Sequence, residues 1–388
     1  MRDLPLTGSL RILFLFDVCE EIRTETLQRL IGGERFGEGA ERRRDPSLQE
    51  ASLQQASLQH TSPEYVRFER PPVVQQLGNL TFETGEQFQA EMNYYEYGVV
   101  SLKLAQPFDL DWPELVVLSA KWIAHPRLEG EARRIARECL RKAAPALIKP
   151  QEEWLCEEYF LIHLHNGRSA GDGCPRFRAS DLIARHGRDI ARIVRGELAE
   201  LSEDERREIL GSQMSYYPED LLVAGWTAAF VCDTPEGAVP TVQVIEYANT
   251  QLLEFRYYDA LLSRVLERVY DSLAHGGRLF ARWRLAREAQ NLNRIRLDVR
   301  ELTERMDTSI KFLSDMFSAR QYRMAAGKIG VDDYRRLVES KLNAAGDLYT
   351  FMMDQFHASR GFVLELIVVV ILAIELAFVF RDQLIPHR

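Results

Sequence analysis

Cysteine is scarce in this 388-residue chain and poorly placed for cross-linking. Cys19, Cys139, Cys156, Cys174 and Cys232 are odd in number, widely spaced and form no CxxC pair. That excludes a disulfide framework and a zinc ribbon, and it fits a reducing compartment. A strong excess of one charge is missing too: 49 Lys and Arg stand against 58 Asp and Glu, a formal net of −9. So mild an acidity argues against a protein that coats nucleic acid over its whole surface. A mean hydropathy of −0.25 excludes a polytopic membrane protein. Residues 12–16 are too short an apolar run for a signal peptide.

Catalytic signatures are lacking as well. Gly171-Asp172-Gly173-Cys174 is not a phosphate-binding loop, because the GxxxxGK[ST] spacing is absent. Gly37-Glu38-Gly39 lacks the third glycine of a dinucleotide fingerprint. No Gly-x-Ser-x-Gly, His-Glu-x-x-His or kinase pattern occurs. His163 and His165, two residues apart, share one face of a predicted strand, with Cys156 or Cys174 as a conceivable third metal ligand. The spacing is weak, and strand histidines are in most cases ordinary packing residues. The reading therefore assigns no catalytic, cofactor-binding or metal residue and no small-molecule ligand, and expects a protein that is not an enzyme.

What is present begins with length, enough for two or more folding units. Residues 361–380 form the longest apolar run and, as a helix, would span about 30 Å, the thickness of a bilayer core. Arg360 and Arg381 bracket it. The expected anchor residues are Phe362, Leu364, Glu365, Ile371, Glu375, Phe378 and Phe380. Glu375 lies deep enough that a charged carboxylate would cost about 2.5–3.5 kcal/mol in lipid, so it should be protonated, snorkelled or paired with another helix.

Upstream, residues 251–357 contain no proline and read as helix. Leu262, Leu266, Val269 and Leu273 step by 4, 3 and 4, and Leu292, Ile295, Val299, Leu302 and Met306 form a second stripe. Glycines at 276–277 and at 327 and 330 mark breaks that allow hairpins, and Asp332 is a candidate cap for the next helix. Residues 278–305 hold eight arginines and four acids. Arg282, Arg287, Arg294 and Arg296 are the candidate contacts to RNA phosphates or anionic lipid, the alternative being a solvated face with internal ion pairs.

The first 250 residues alternate strand and helix signals. Strands are expected at 10–18, 92–104, 154–165 and 221–232, with Gly98 as a bulge. Helices are expected at 20–31, 113–124, 131–143, 180–195 and 203–210, with Ser180-Asp181 and Ser202 as caps. Residues 65–72 look extended. Residues 32–63 carry a five-residue Ser-Leu-Gln repeat that suits neither helix nor strand and read as a low-complexity loop.

Five phrases resemble the Required for Meiotic Nuclear Division family, a domain of unknown function. They lie at 13–21 (LFLFDVCEE), 65–72 (YVRFERPP), 94–102 (YYEYGVVSL), 292–299 (LNRIRLDV) and 364–380 (LELIVVVILAIELAFVF). The resemblance implies a single-span protein with a coiled coil before its anchor; some members are implicated in holding translation machinery at an organellar inner membrane. This chain lacks an Arg/Ser-rich presequence, so the resemblance is to a bacterial-type member.

The expected architecture is α+β. A mixed sheet with covering helices (1–31 and 64–250, with 32–63 inserted) is followed by helical hairpins or coiled coil at 251–357, one transmembrane helix at 361–380 and a tail at 381–388. The expected function is a tail-anchored, self-associating scaffold at the inner membrane, its bulk in the cytoplasm, with lipid and a protein or second copy as partners. One alternative is a tether for ribosomes or RNA through 278–305. The other is an enzyme with an unrecognised site in the α+β domain.

Overall fold

The computed structural model describes residues 5–31, 34–35, 71–82, 85–167, 176–274, 287, 290–297, 299–300 and 316–384. The chain divides into two compact units, Met1–Tyr257 with Arg305–Arg335, and Tyr258–Glu304 with Arg336–Arg388.

The first unit is built on β1 (Leu6–Asp17), a run of apolar residues buried along most of its length. Such a strand suits only the middle of a sheet covered on both faces. It pairs antiparallel on one side with β6 (Val99–Leu110) and on the other with β8 (Cys156–His165). Among the described residues the sheet has nine strands in the order β3-β4-β5-β6-β1-β8-β11-β10-β9. Here β3 is Glu34–Arg35, β4 Val73–Thr81, β5 Gln87–Tyr94, β9 Gln213–Met214, β10 Leu221–Ala224 and β11 Ala228–Asp233. Only β8 and β11 run parallel. A two-stranded ribbon pairs β2 (Cys19–Ile22) with β7 (Leu147–Pro150).

Alternation along the strands gives the sheet two unlike faces. One carries Leu10, Ile12, Phe14 and Phe16 of β1 with Met92, Leu102, Leu104, Phe160, Ile162 and Phe230. Against it pack α2 (Trp112–Ile123), α3 (Leu128–Ala143) and α4 (Ala179–Arg195), whose Leu115, Trp122, Leu140, Leu182, Ile190 and Ile193 join the same core. Each such side chain contributes about 1.5–3 kcal/mol when fully buried. Trp122 meets Phe88 edge-on at 5.2 Å.

The opposite face is mixed in character. The register sets Asn93 beside Ser101 and Glu91 beside Lys103, while Arg11 and His163 follow on β1 and β8. Over it lies the first part of α6 (Ala238–Ala274), which buries Gln243, Glu246, Asn249, Thr250, Gln251 and Glu254. Glu246 Oε1 accepts from Asn93 Nδ2 at 2.9 Å, and its other oxygen lies 3.5 Å from Lys103 Nζ. Lys103 also pairs with Glu91, and Arg256 with Glu157. Burial alone would lower the Lys103 pKa; Glu246 and then Glu91 outweigh it, so the ammonium stays charged. Arg11, Lys103 and Arg256 are the cations of this layer, set among Glu91, Glu157 and Glu246, with Glu254 and Asp17 buried on the same face.

Several sequence expectations change in detail. The strand expected at 92–104 is a hairpin of β5 and β6, and Gly98 forms its turn at φ +93°, where a Cβ would collide with the Cys19 carbonyl. The strand expected at 221–232 is likewise two strands, β10 and β11. The helix expected from 20 begins only at α1 (Thr24–Ile31), after β2. Strand β4 was not expected at all. Helix α4 has Arg178 at its N-cap and no side-chain cap, so Ser180-Asp181 does not cap it. Gly330, at φ +95°, separates α7 (Met316–Ile329) from α8 (Val331–Leu384), placing Asp332 in the first turn rather than at the cap. The loop expected over 32–63 and the extended segment at 65–70 lie, apart from β3, outside the described residues.

In the second unit the stripe residues Leu262, Leu266, Val269, Leu292, Ile295 and Val299 are buried, as are Val338 and Ala345 of α8. Lys341 reaches Asp259 Oδ1 at 2.5 Å and Ser263 Oγ at 2.6 Å.

The transmembrane expectation is overturned. No helix among the described residues is long and apolar enough to cross a membrane. The helix that contains 361–380 is α8, whose first half is rich in charge. Of the expected anchor residues Phe362, Leu364, Glu365, Ile371, Glu375, Phe378 and Phe380, only Ile371 has a described side chain. It belongs to an exposed aliphatic run at 368–372. With the span go the fold class that contained it, the inner-membrane location and the tail-anchored scaffold.

Candidate anion-binding groove

The residues singled out in the sequence do not assemble into a reactive site. His163 is fully buried, its Nε2 3.2 Å from the Asp233 carbonyl and its ring 4.7 Å from that of His165. Burial first, then Arg11 and His165, push its pKa down to about 3, so the ring is neutral. Cys156 lies seven residues away on the same strand with opposite parity, hence on the other face. Cys174 is outside the described residues. No group of three or more His, Cys, Asp or Glu placed to hold a metal occurs among the described residues. Of the arginines expected to meet RNA or lipid, Arg287 and Arg294 are exposed and Arg296 is half-buried in the second unit; Arg282 lies outside the described residues.

A different set of arginines is brought together. Helix α4 turns Leu182, Ile190, Ile193 and Val194 onto the sheet. On its other side Arg185, Arg188, Arg192 and Arg195 step by 3, 4 and 3, a helical stripe of one charge. After a short loop, Ser202 caps α5 (Glu203–Leu210) by accepting from the Glu205 amide at 3.2 Å. The two helices approach closely because residue 187 has no side chain: a Cβ there would sit 3.1 Å from Leu210 Cδ1. Arg195 and Glu205 hold them together at 3.5 Å.

Between them lies a groove of about 540 Å³ lined by Arg185, Gly187, Arg188, Glu203, Arg206, Arg207, Gly211 and Gln213, with Ile183, Ala184 and Leu210 as apolar lining. Four guanidinium groups thus meet one carboxylate in a chain that is acidic overall. Glu203 is shared by Arg206 and Arg207, and Asp204 lies 3.0 Å from Arg207. Arg185 and Arg188 form no ion pair among the described residues. Guanidinium groups are permanently charged and present forked donors that match phosphate and carboxylate oxygens. The groove can therefore hold an oxyanion. The sequence motifs contain no such site, although the arginine stripe of α4 is a readable signal for it.

An α+β sheet protein with an arginine-lined groove beside one edge is the class these features define. Residues 7–238 match the family described as the N-terminal domain of uncharacterized protein MJ0711, and the chain belongs to that family. The match covers the whole nine-stranded sheet and the groove. A relative, uncharacterized protein MJ0711 of Methanocaldococcus jannaschii, is 22% identical over 187 residues, 48% of this chain and 57% of the relative. The chain thus aligns with little more than half of that relative's length. No solved structure matches. The family found is not the Required for Meiotic Nuclear Division family, and that resemblance is set aside: short phrases carried it, whereas the family match runs through the fold.

Proposed function

We propose that this chain is a binding protein, not an enzyme, whose α+β unit captures a phosphate-bearing ligand in the groove between α4 and α5. The observation that carries this reading is the convergence of Arg185, Arg188, Arg206 and Arg207 on one groove, with Arg185 and Arg188 without an acidic partner among the described residues. Keeping like charges together is unfavourable unless an anion joins them, and an anion that does so gains charge-assisted hydrogen bonds from forked donors. Arg185, Arg188 and Arg207 are exposed, so a ligand reaches them without opening the fold.

The test uses the full-length chain and tripolyphosphate as the probe, followed by calorimetry. Arg185→Glu with Arg188→Glu should weaken binding at least about tenfold, since two charge-assisted contacts become repulsions. Circular dichroism should be unchanged, because both side chains point away from the core. Unaltered affinity in the double variant would overturn the reading.

A further inference from the structure

The groove does not end in plain polar surface. Gly211 and Gln213 line it, and Ser212 between them donates from Oγ to the Ala224 carbonyl at 2.5 Å. Ala224 ends β10, whose Val223 pairs with Gln213 of β9. Two residues further on stands Trp226, at most about 7 Å along the chain. It is 52% exposed, an unusual state for the largest apolar side chain. Its indole rests against Gly330, where a Cβ would come within 2.9 Å of the ring. The residue at that turn is thus one that leaves room for a flat ring. Lys328, two residues before Gly330, pairs with Glu208 of α5, next to Arg207 of the groove. The groove's arginines and the indole are therefore joined through two short routes in the same unit, one along β9 and β10 and one along α7 and α5. At the far end of β9, Tyr216 is also exposed and packs edge-on against Phe317 at 4.8 Å.

We propose that the ligand of the groove is single-stranded nucleic acid, its phosphates held by Arg185, Arg188, Arg206 and Arg207 and one of its bases stacked on Trp226. This rests on the anion-binding reading above and names its ligand class. A free oxyanion uses the arginines and has no use for an exposed indole. A polynucleotide uses both, because every base offers a flat face that stacks on an aromatic ring while the backbone follows a basic groove. A duplex keeps its bases stacked inside and leaves the indole unused, so the single strand is the form that fits. The net positive lining of the groove supplies the charge complementarity.

The experiment measures anisotropy of a labelled uridine dodecanucleotide on the full chain, with tripolyphosphate and polyglutamate of matched length as competitors. Trp226→Leu keeps an apolar side chain against Gly330 and removes the ring. It should weaken the oligonucleotide about tenfold, the order expected for one lost stacked base, and leave tripolyphosphate binding unchanged. Trp226→Phe should restore most of the loss, which a merely structural role would not predict. Equal oligonucleotide affinity in Trp226→Leu and the parent would overturn this inference and leave the anion groove standing. So would polyglutamate competing as strongly as the oligonucleotide, which would point to an acidic protein segment instead. If neither tripolyphosphate nor the oligonucleotide binds, the groove reading falls and this inference falls with it.

Discussion

Asp17 shows what the polar layer costs a single residue. It closes β1 at 2% exposure, accepts from Gln151 Nε2 at 3.0 Å through one oxygen, and leaves the other without a partner. Burial pushes its pKa from 3.8 up to about 7, against the smaller opposing effect of Gln151. Glu254 of α6, also buried, lies well above the carboxylate range for the same reason and because Asp17 is near. A carboxyl that titrates higher when folded holds its proton better in the native state, so stability falls as pH rises from about 4 to about 7 and stays reduced above that. Asp17→Asn keeps the Gln151 contact and cannot ionise. Thermal melts should therefore show the variant several degrees more stable than the parent at pH 8, with the gap closing toward pH 4. An equal gap at both pH values would contradict the shift. Gly98 gives a second expectation at this scale. Gly98→Ala puts a methyl into the Cys19 carbonyl at a positive φ, and should cost at least about 1–3 kcal/mol in denaturant melts.

Among the elements, α5 depends most visibly on local sequence. It has eight residues, and Ser202 satisfies one of its free amides. Ser202→Ala should destabilise the unit by about 1 kcal/mol and weaken ligand binding alongside, because α5 carries Arg206 and Arg207. A melt unchanged within error would show that the cap is idle. This cap was legible in the sequence, as were β1, β8, α2 and α3, because each combines a clear apolar period with sharp ends. Strand β4 was not, since its Gln75, Gln76 and Asn79 sit in a sheet with no apolar alternation to reveal it. The hairpins at Gly98 and Gly225 were hidden for the opposite reason. Apolar and aromatic residues run almost unbroken across each reversal, from Leu221 to Cys232 and around Gly98 from Tyr94 to Val100, so period alone does not show where the chain turns. The groove escaped notice because its arginines come from two helices, and only the packing at Gly187 makes them neighbours. The apolar run at 361–380 looked decisive by composition alone, yet no helix among the described residues is long and apolar enough to cross a membrane.

At the level of the whole molecule, net charge and local charge point in opposite directions. A chain of −9 repels polyanions at long range, so the binding proposed above rests on the few arginines at the groove. Three net charges there should release about two counterions from a single strand, giving a log–log salt slope of about −2. A slope several times steeper would place the contacts elsewhere, for instance on the arginines of residues 278–305. The sheet itself has one further consequence. Among the described residues it stops at either side in strands of two residues, Glu34–Arg35 and Gln213–Met214. Beyond the first, β4 is polar and broken by an irregularity between Gln76 and Gly78. The β9 margin, two residues long, gives a neighbouring molecule no straight row of free amides to copy. Pairing of a second copy's strand onto the β9 side of the sheet is therefore disfavoured.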